Sequence, residues 1–170
     1  FVGVDPSMTL SYRSEYPKVV GETRAVHKVH LLQEWLAQQT DQLAAFMSEK
    51  SLEVTHESYH LLAHCTEKTN AASSIQDWVK VFSLLGLSLK VENVGCCGMA
   101  GTYGHESANL DTSKDIYELS WKGKINDETL QNRIVATGYS CRSQVKRFDQ
   151  KQIPHPLQAV LKQLKNSRLD

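Results

Sequence analysis

Apolar and polar positions come in blocks whose period switches along the chain. Phe1-Val2-Gly3-Val4 is a short apolar run ending at Asp5-Pro6-Ser7, which predicts a strand feeding a turn. Over residues 25–39, Val26, Val29, Leu32 and Trp35-Leu36 fall at helical spacing, and Leu43, Phe46 and Met47 continue as a second helix after a break at Thr40-Asp41. Residues 58–63, with Tyr59, Leu61 and Leu62, predict a buried strand running into His64-Cys65. Ser73-Ser74 are placed to cap a helix over Ile75, Trp78, Val79, Phe82 and Leu85, stopped by Gly86. In 87–94, Leu87, Leu89 and Val91 alternate with Ser88, Lys90 and Glu92 as a strand does.

A glycine-rich loop, Gly95-Cys96-Cys97-Gly98-Met99-Ala100-Gly101-Thr102-Tyr103-Gly104, follows that strand. A helix is expected next, with Ile116, Leu119 and Ser120-Trp121 inward, then a shorter one from Asp127-Glu128 to Leu130. Residues 133–137 predict a strand, 138–141 a loop, and 142–148 and 156–164 helices, the last with Pro156 in its first turn. Strand and helix in alternation imply an α/β fold, a Rossmann-like layered arrangement with a mainly parallel sheet. In such sheets ligands sit beyond the carboxyl ends of the strands. Cys65, Cys96-Cys97 and Cys141 each lie in a loop just after a predicted strand, so three strands would deliver all four to one edge.

Composition narrows the function classes. Nineteen basic residues balance nineteen acidic ones, which gives no electrostatic case for nucleic acid or an anionic membrane. No apolar run is long enough to span a bilayer and no signal-peptide pattern opens the chain. Opening on Phe1 as a strand, the sequence reads as a fragment of something longer or as a processed chain. Four cysteines in 170 residues are too sparse for a secreted disulfide framework, and adjacent Cys96 and Cys97 are poorly placed to bond to each other. A reduced, cytoplasmic protein is expected.

Four thiolates are the ligand number of a [4Fe–4S] cluster and of a closed zinc site. The spacing matches neither paired C-x₂-C knuckles nor a compact ferredoxin run. Two further readings stand beside a metal site: four ordinary buried thiols, and a redox-active Cys96-Cys97 pair. Gly98, Gly101 and Gly104 form GxxGxxG before a helix, which departs from the GxGxxG dinucleotide fingerprint; they read instead as letting backbone approach a cluster closely. Among seven histidines, His60 and His105 are expected to orient the site loops, His27, His30 and His56 to face solvent, and His155 to shape a turn at the site's edge. Trp35, Trp78 and Trp121 read as core, and Asp111, Asp115 and Glu118 as a solvated helix face.

Gly95-Cys96-Cys97-Gly98, with Cys65 upstream and Cys141 downstream, resembles the cysteine-rich CCG domain family. That family includes subunits of glycolate oxidase, anaerobic glycerol-3-phosphate dehydrogenase, lactate-utilisation proteins and heterodisulfide reductase. The stretch from Cys96 to Glu106, with Ser120-Trp121, Thr137-Gly138-Tyr139-Ser140-Cys141 and Pro154-His155-Pro156, is similar to a narrower group. Its members are large single-chain bacterial proteins that join an FAD-linked D-2-hydroxy-acid dehydrogenase to a ferredoxin-like segment and a C-terminal CCG region.

The resemblance implies that Cys65, Cys96, Cys97 and Cys141 ligate an iron–sulfur cluster of the [4Fe–4S] type, with zinc or an empty site as the alternatives in the fragment. Gly95, Gly98, Gly101, His60 and His105 would surround it. The parent would carry FAD, absent from this chain, pass electrons from 2-hydroxy-acid oxidation to an acceptor, and lie in the cytoplasm or peripheral to the inner membrane. Upstream FAD and ferredoxin-like domains of the parent would be its partners, and the fragment alone would not be catalytic. The alternative is a zinc-binding or metal-free structural or docking domain. Residues 1–24 would be the tail of a preceding CCG half or a linker, and 25–170 the CCG domain. Two departures stand out: Gly138 replaces the first cysteine of the family's C-x-x-C, leaving four thiolates rather than five, and Met8 stands where a cysteine often does.

Overall fold

The central strand divides its side chains between two cores. In β3 (Ser58–Leu62) Tyr59 and Leu61 enter one core and Leu62 the other; in β5 (Ile134–Ala136) Val135 enters the first, Ile134 and Ala136 the second. This is the period-two alternation of a sheet covered on both faces. The computed structural model describes residues 1–20, 29–49 and 55–166. Its main sheet has the order β4-β3-β5, all parallel, with β4 spanning Ser88–Val91, Leu61 paired with Val91 on one side and Val135 on the other.

One face is covered by α6 (Ala72–Leu84), whose Ile75, Trp78, Val81 and Phe82 follow helical spacing. The helix ends in a Schellman arrangement: Gly86 N–H donates to Ser83 and Leu87 N–H to Phe82, with Gly86 at a positive φ. α3 (Leu32–Leu36) and α9 (Pro156–Asn166) complete this layer, and α4 (Thr40–Glu49) packs on α6. The other face is covered by α7 (Leu110–Ile125) and α8 (Tyr139–Asp149), through Tyr117, Trp121, Ile125 and Val145. The layered α/β fold with parallel sheets is therefore as expected.

The first residues form a small annex on this body. β1 (Val2–Gly3) pairs in parallel with β2 (His30–Leu31), and α1 (Pro6–Leu10) packs on α5 (Cys65–Asn70). A wider turn over Ser11–Glu15 leads into α2 (Tyr16–Val20). Arg13 ties the annex down by donating to the Val29 carbonyl and the Glu34 carboxylate. So the described part of the stretch read as a tail or linker is packed against β2, α3 and α5. The boundary at 24 lies outside the described residues.

Several local expectations are corrected. The helix expected over 25–39 is, where described, strand β2 followed by a helix of five residues, because Leu31 is drawn into the parallel pair with Gly3. Residues 25–28, including His27, lie outside the described residues. With α3 starting at Leu32, Gln33 turns inward and Trp35 is left 41% exposed, so it is not core, whereas Trp78 and Trp121 are. Ser74 does not cap α6; it lies inside the first turn, buried, and accepts a hydrogen bond from Gln33. The inner face of α7 is Ser113, Tyr117 and Trp121 at intervals of four, which puts Leu119 on the opposite side, 83% exposed. His30 is half-buried beside Glu34 rather than solvent-facing.

Candidate functional site

The three parallel strands end on the same edge, and the cysteines follow from there. Cys65 opens α5 rather than sitting in a loop, because His64 caps that helix: its Nδ1 accepts the Thr66 N–H at 3.2 Å. Cys141 likewise stands in the first turn of α8, after Gly138. Cys96 and Cys97 lie in the loop after β4, as expected. None of the four is in a disulfide.

Neighbouring thiols shift one another's ionisation in series: Cys65 with Cys96, Cys96 with Cys97, and Cys97 with Cys141. Like charges disfavour one another, so neighbouring thiols resist ionising together. Hydrogen bonds from Cys65 and Cys97, with the Gly98 N–H at 3.4 Å, lower the Cys96 pKa, and the thiols of Cys65 and Cys97 are pushed up. Among the described residues, no group of three or more His, Cys, Asp or Glu side chains is arranged to hold a metal ion as it stands.

Above the sulfurs opens a cavity of about 430 Å³, lined by Cys65, Cys96 and Cys97 with Cys141 buried behind. A single water takes about 30 Å³, so the space is far larger than one small ion needs. Met8, 63% exposed, and Asp5 come from α1 and its cap to line one side; Ala100, Gly101, Tyr139 and Ser140 line others.

Of the remaining expected site residues, Gly101 lines the cavity and Gly95 and Gly98 hold the loop in place. His60 is turned to Glu92, 2.8 Å away, and His105 is exposed on the short turn Tyr103–His105; neither lines the cavity. The histidine that does is His64. With Nδ1 accepting, its Nε2 carries the proton and faces Ser140 Oγ at 3.3 Å. Burial lowers its pKa against the raising effect of Asp5 and Cys96. His155 is buried, caps the first turn of α9 through Leu157 N–H and packs edge-on against Trp78.

Gly138 sits where no larger residue has room. A Cβ there would lie 2.3 Å from the His64 ring and 2.9 Å from Cys141 Sγ, so no side chain fits while His64 caps α5. Below the site runs a buried polar relay. Thr137 Oγ1 accepts the His64 N–H at 3.0 Å and donates to Glu67 at 2.7 Å, and Glu67 accepts from Gln33 at 2.6 Å. Glu67 is fully buried, which pushes its carboxyl up to about 7 despite these hydrogen bonds.

Sequence reasoning missed Ser113, Ser120, Trp121 and Gln144 as supports of the cysteine loop. Ser120 Oγ accepts from Gly95 N–H and Trp121 Nε1 donates to Gly95 O, while Gln144 and Ser113 hold the carbonyls of Cys97 and Gly98. Helical spacing signals which residues face inward, not which carbonyl each will meet.

No family model matches the chain, and no solved structure does. Curated relatives do. The D-2-hydroxyglutarate dehydrogenase of Pseudomonas putida is 48% identical over 160 residues, covering 94% of this chain and 15% of the relative. That of Pantoea ananatis is 47% identical over 161 residues, covering 94% and 15%. That of Escherichia coli is 45% identical over 164 residues, covering 96% and 15%. The chain thus spans about 15% of the length of these relatives and is homologous, over nearly all of its own length, to one stretch of the D-2-hydroxyglutarate dehydrogenases.

Proposed function

We propose that this chain is the cysteine-rich, CCG-type electron-transfer domain of a D-2-hydroxyglutarate dehydrogenase, and that Cys65, Cys96, Cys97 and Cys141 hold an iron–sulfur cluster in it. The observation that carries the reading is the convergence of four unbridged cysteines at one edge of a parallel sheet, under an open cavity. An all-sulfur donor set is what iron–sulfur clusters take. Zinc in a closed site needs four ligands around one point, whereas a four-iron cluster takes one cysteine at each of four irons. Room above the sulfurs for more than one metal ion favours the second.

When bound, the cluster supplies one-electron storage and transfer. In the parent, FAD outside this chain would take two electrons from D-2-hydroxyglutarate, leaving 2-oxoglutarate, and release them singly through this site to an acceptor. The chain's own residues would exclude bulk water behind Cys97 and Cys141 and offer the Gly98 N–H to Cys96 Sγ. No substrate chemistry is assigned to them.

The experiment is made in the parent-length dehydrogenase. Cys96→Ser is expected to leave reduction of the flavin by substrate intact and to abolish onward reduction of the acceptor. Full acceptor turnover in that variant would reject the relay.

A further inference from the structure

Behind the vicinal cysteines lies a side-chain pair that touches no cysteine sulfur, yet fixes which way one peptide faces. Gln144 and Ser113 are both fully buried. The two protons of Gln144 Nε2 go to Cys97 O at 3.0 Å and to Ser113 Oγ at 2.9 Å, and Ser113 Oγ in turn donates to Gly98 O at 2.7 Å. Cys97 O can only accept, so the Gln144 amide is held with its nitrogen forward. Two successive carbonyls are thereby drawn into the protein.

A trans peptide is planar, with its C=O and N–H pointing in opposite directions. Drawing Cys97 O inward therefore turns the Gly98 N–H outward, where it meets Cys96 Sγ at 3.4 Å. Gly98 makes this possible twice over: its φ is +83°, and a Cβ there would lie 2.1 Å from Ser113 O. We infer that Gln144, seconded by Ser113, is a positioning residue that acts through the Cys97–Gly98 peptide to aim an N–H group at Cys96 Sγ. Hydrogen bonds to sulfur favour the more negative, reduced state and raise a cluster's potential. Gln144 thereby sets the potential of the site from one residue further out. The redox half of this inference rests on the proposed function; the peptide-orienting half does not.

The test uses Gln144→Met, of similar length but with no donor for Cys97 O and no charge, and Ser113→Ala as a milder variant. In the metal-free chain, amide hydrogen exchange at Gly98 is compared with that of His60, whose N–H donates to Arg133 O in the central strand. We expect Gly98 exchange to quicken about tenfold in Gln144→Met and less in Ser113→Ala, with His60 unchanged. Equal protection of Gly98 in all three proteins overturns the clamp. After reconstitution at matched iron content, the midpoint potential is expected to fall in the same order, and unchanged potentials overturn the redox half. Should Gln144→Met not fold, Ser113→Ala decides both measurements. Should the unaltered chain take up no iron, the proposed function fails while the exchange result still decides the clamp.

Discussion

Asp5 Oδ2 accepts the backbone N–H of Tyr139 at 2.9 Å, across 134 positions of sequence, while Oδ1 accepts that of Met8 at 3.2 Å. One carboxylate thus caps α1 and meets the first turn of α8 together. It fixes Met8 on one side of the cavity and Tyr139, two residues before Cys141, on another.

Asp5→Ala is expected to cost about 1–2 kcal/mol, the loss of a good helix cap, and to loosen α1 from the site. The denaturant midpoint of the chain checks this. A change under a few tenths of a kcal/mol would mean that water replaces the carboxylate without loss.

The relay beneath the site predicts a larger effect than its size implies. Thr137→Val keeps the shape but leaves the His64 N–H and the Glu67 carboxyl without their shared partner. The expected destabilisation is about 1–3 kcal/mol, since buried polar groups left unpaired bear their full desolvation cost. Equilibrium unfolding measures it.

Gly138→Ala tests the packing between His64 and Cys141. Its backbone, at φ −76°, suits any residue, so only the crowding opposes a methyl group. We expect a loss of about 1–3 kcal/mol, as for an overpacked core, together with a displaced His64 ring seen in its NMR shifts. Wild-type stability with an unmoved ring would show that the site gives way freely.

Acid sensitivity arises from two buried groups. Burial, then the charge of Arg142, pushes His155 down to about 4. An unfolded histidine takes its proton near 6.5, so as pH falls the unfolded chain protonates first. Stability is therefore intact above about pH 6.5 and declines by roughly 3 kcal/mol toward pH 4. His64, also lowered by burial, adds to the same limb. Glu92 acts lower: Lys124 at 2.6 Å and His60 at 2.8 Å hold its carboxyl at about 2. Its contribution is present above the ordinary carboxylate range and is lost as pH falls from about 4.3 toward 2. His155→Asn, which keeps an acceptor for Leu157 N–H, is expected to flatten the upper limb of a stability profile and spare the lower one.

The strands were legible because 58–62 is a short apolar-rich run and polar and apolar positions alternate without a break over 88–91. Convergence of the cysteines was legible for the same reason, since parallel strands share a carboxyl edge. What local pattern could not show is partnership at long range. Leu31 lies inside a span read as helix until Gly3 pairs with it, and Trp35 reads as core until α3 is seen to begin only at Leu32. His60 and His64 both stand shortly before Cys65 in sequence. Only the helix start, which makes His64 a cap, and Glu92, which takes His60, separate them. Gln144 and Ser113 carried no signal, because their partners are backbone carbonyls far away in sequence.

The central claim is that these four cysteines hold an iron–sulfur cluster, and its most direct measurement is anaerobic reconstitution of the chain with iron and sulfide. Iron and acid-labile sulfide are then counted, and the reduced protein is examined by electron paramagnetic resonance. The account predicts about four of each per chain, a paramagnetic signal on reduction, and loss of both in Cys96→Ser and Cys97→Ser. A chain that binds only zinc, or remains metal-free with its signal silent, would contradict it.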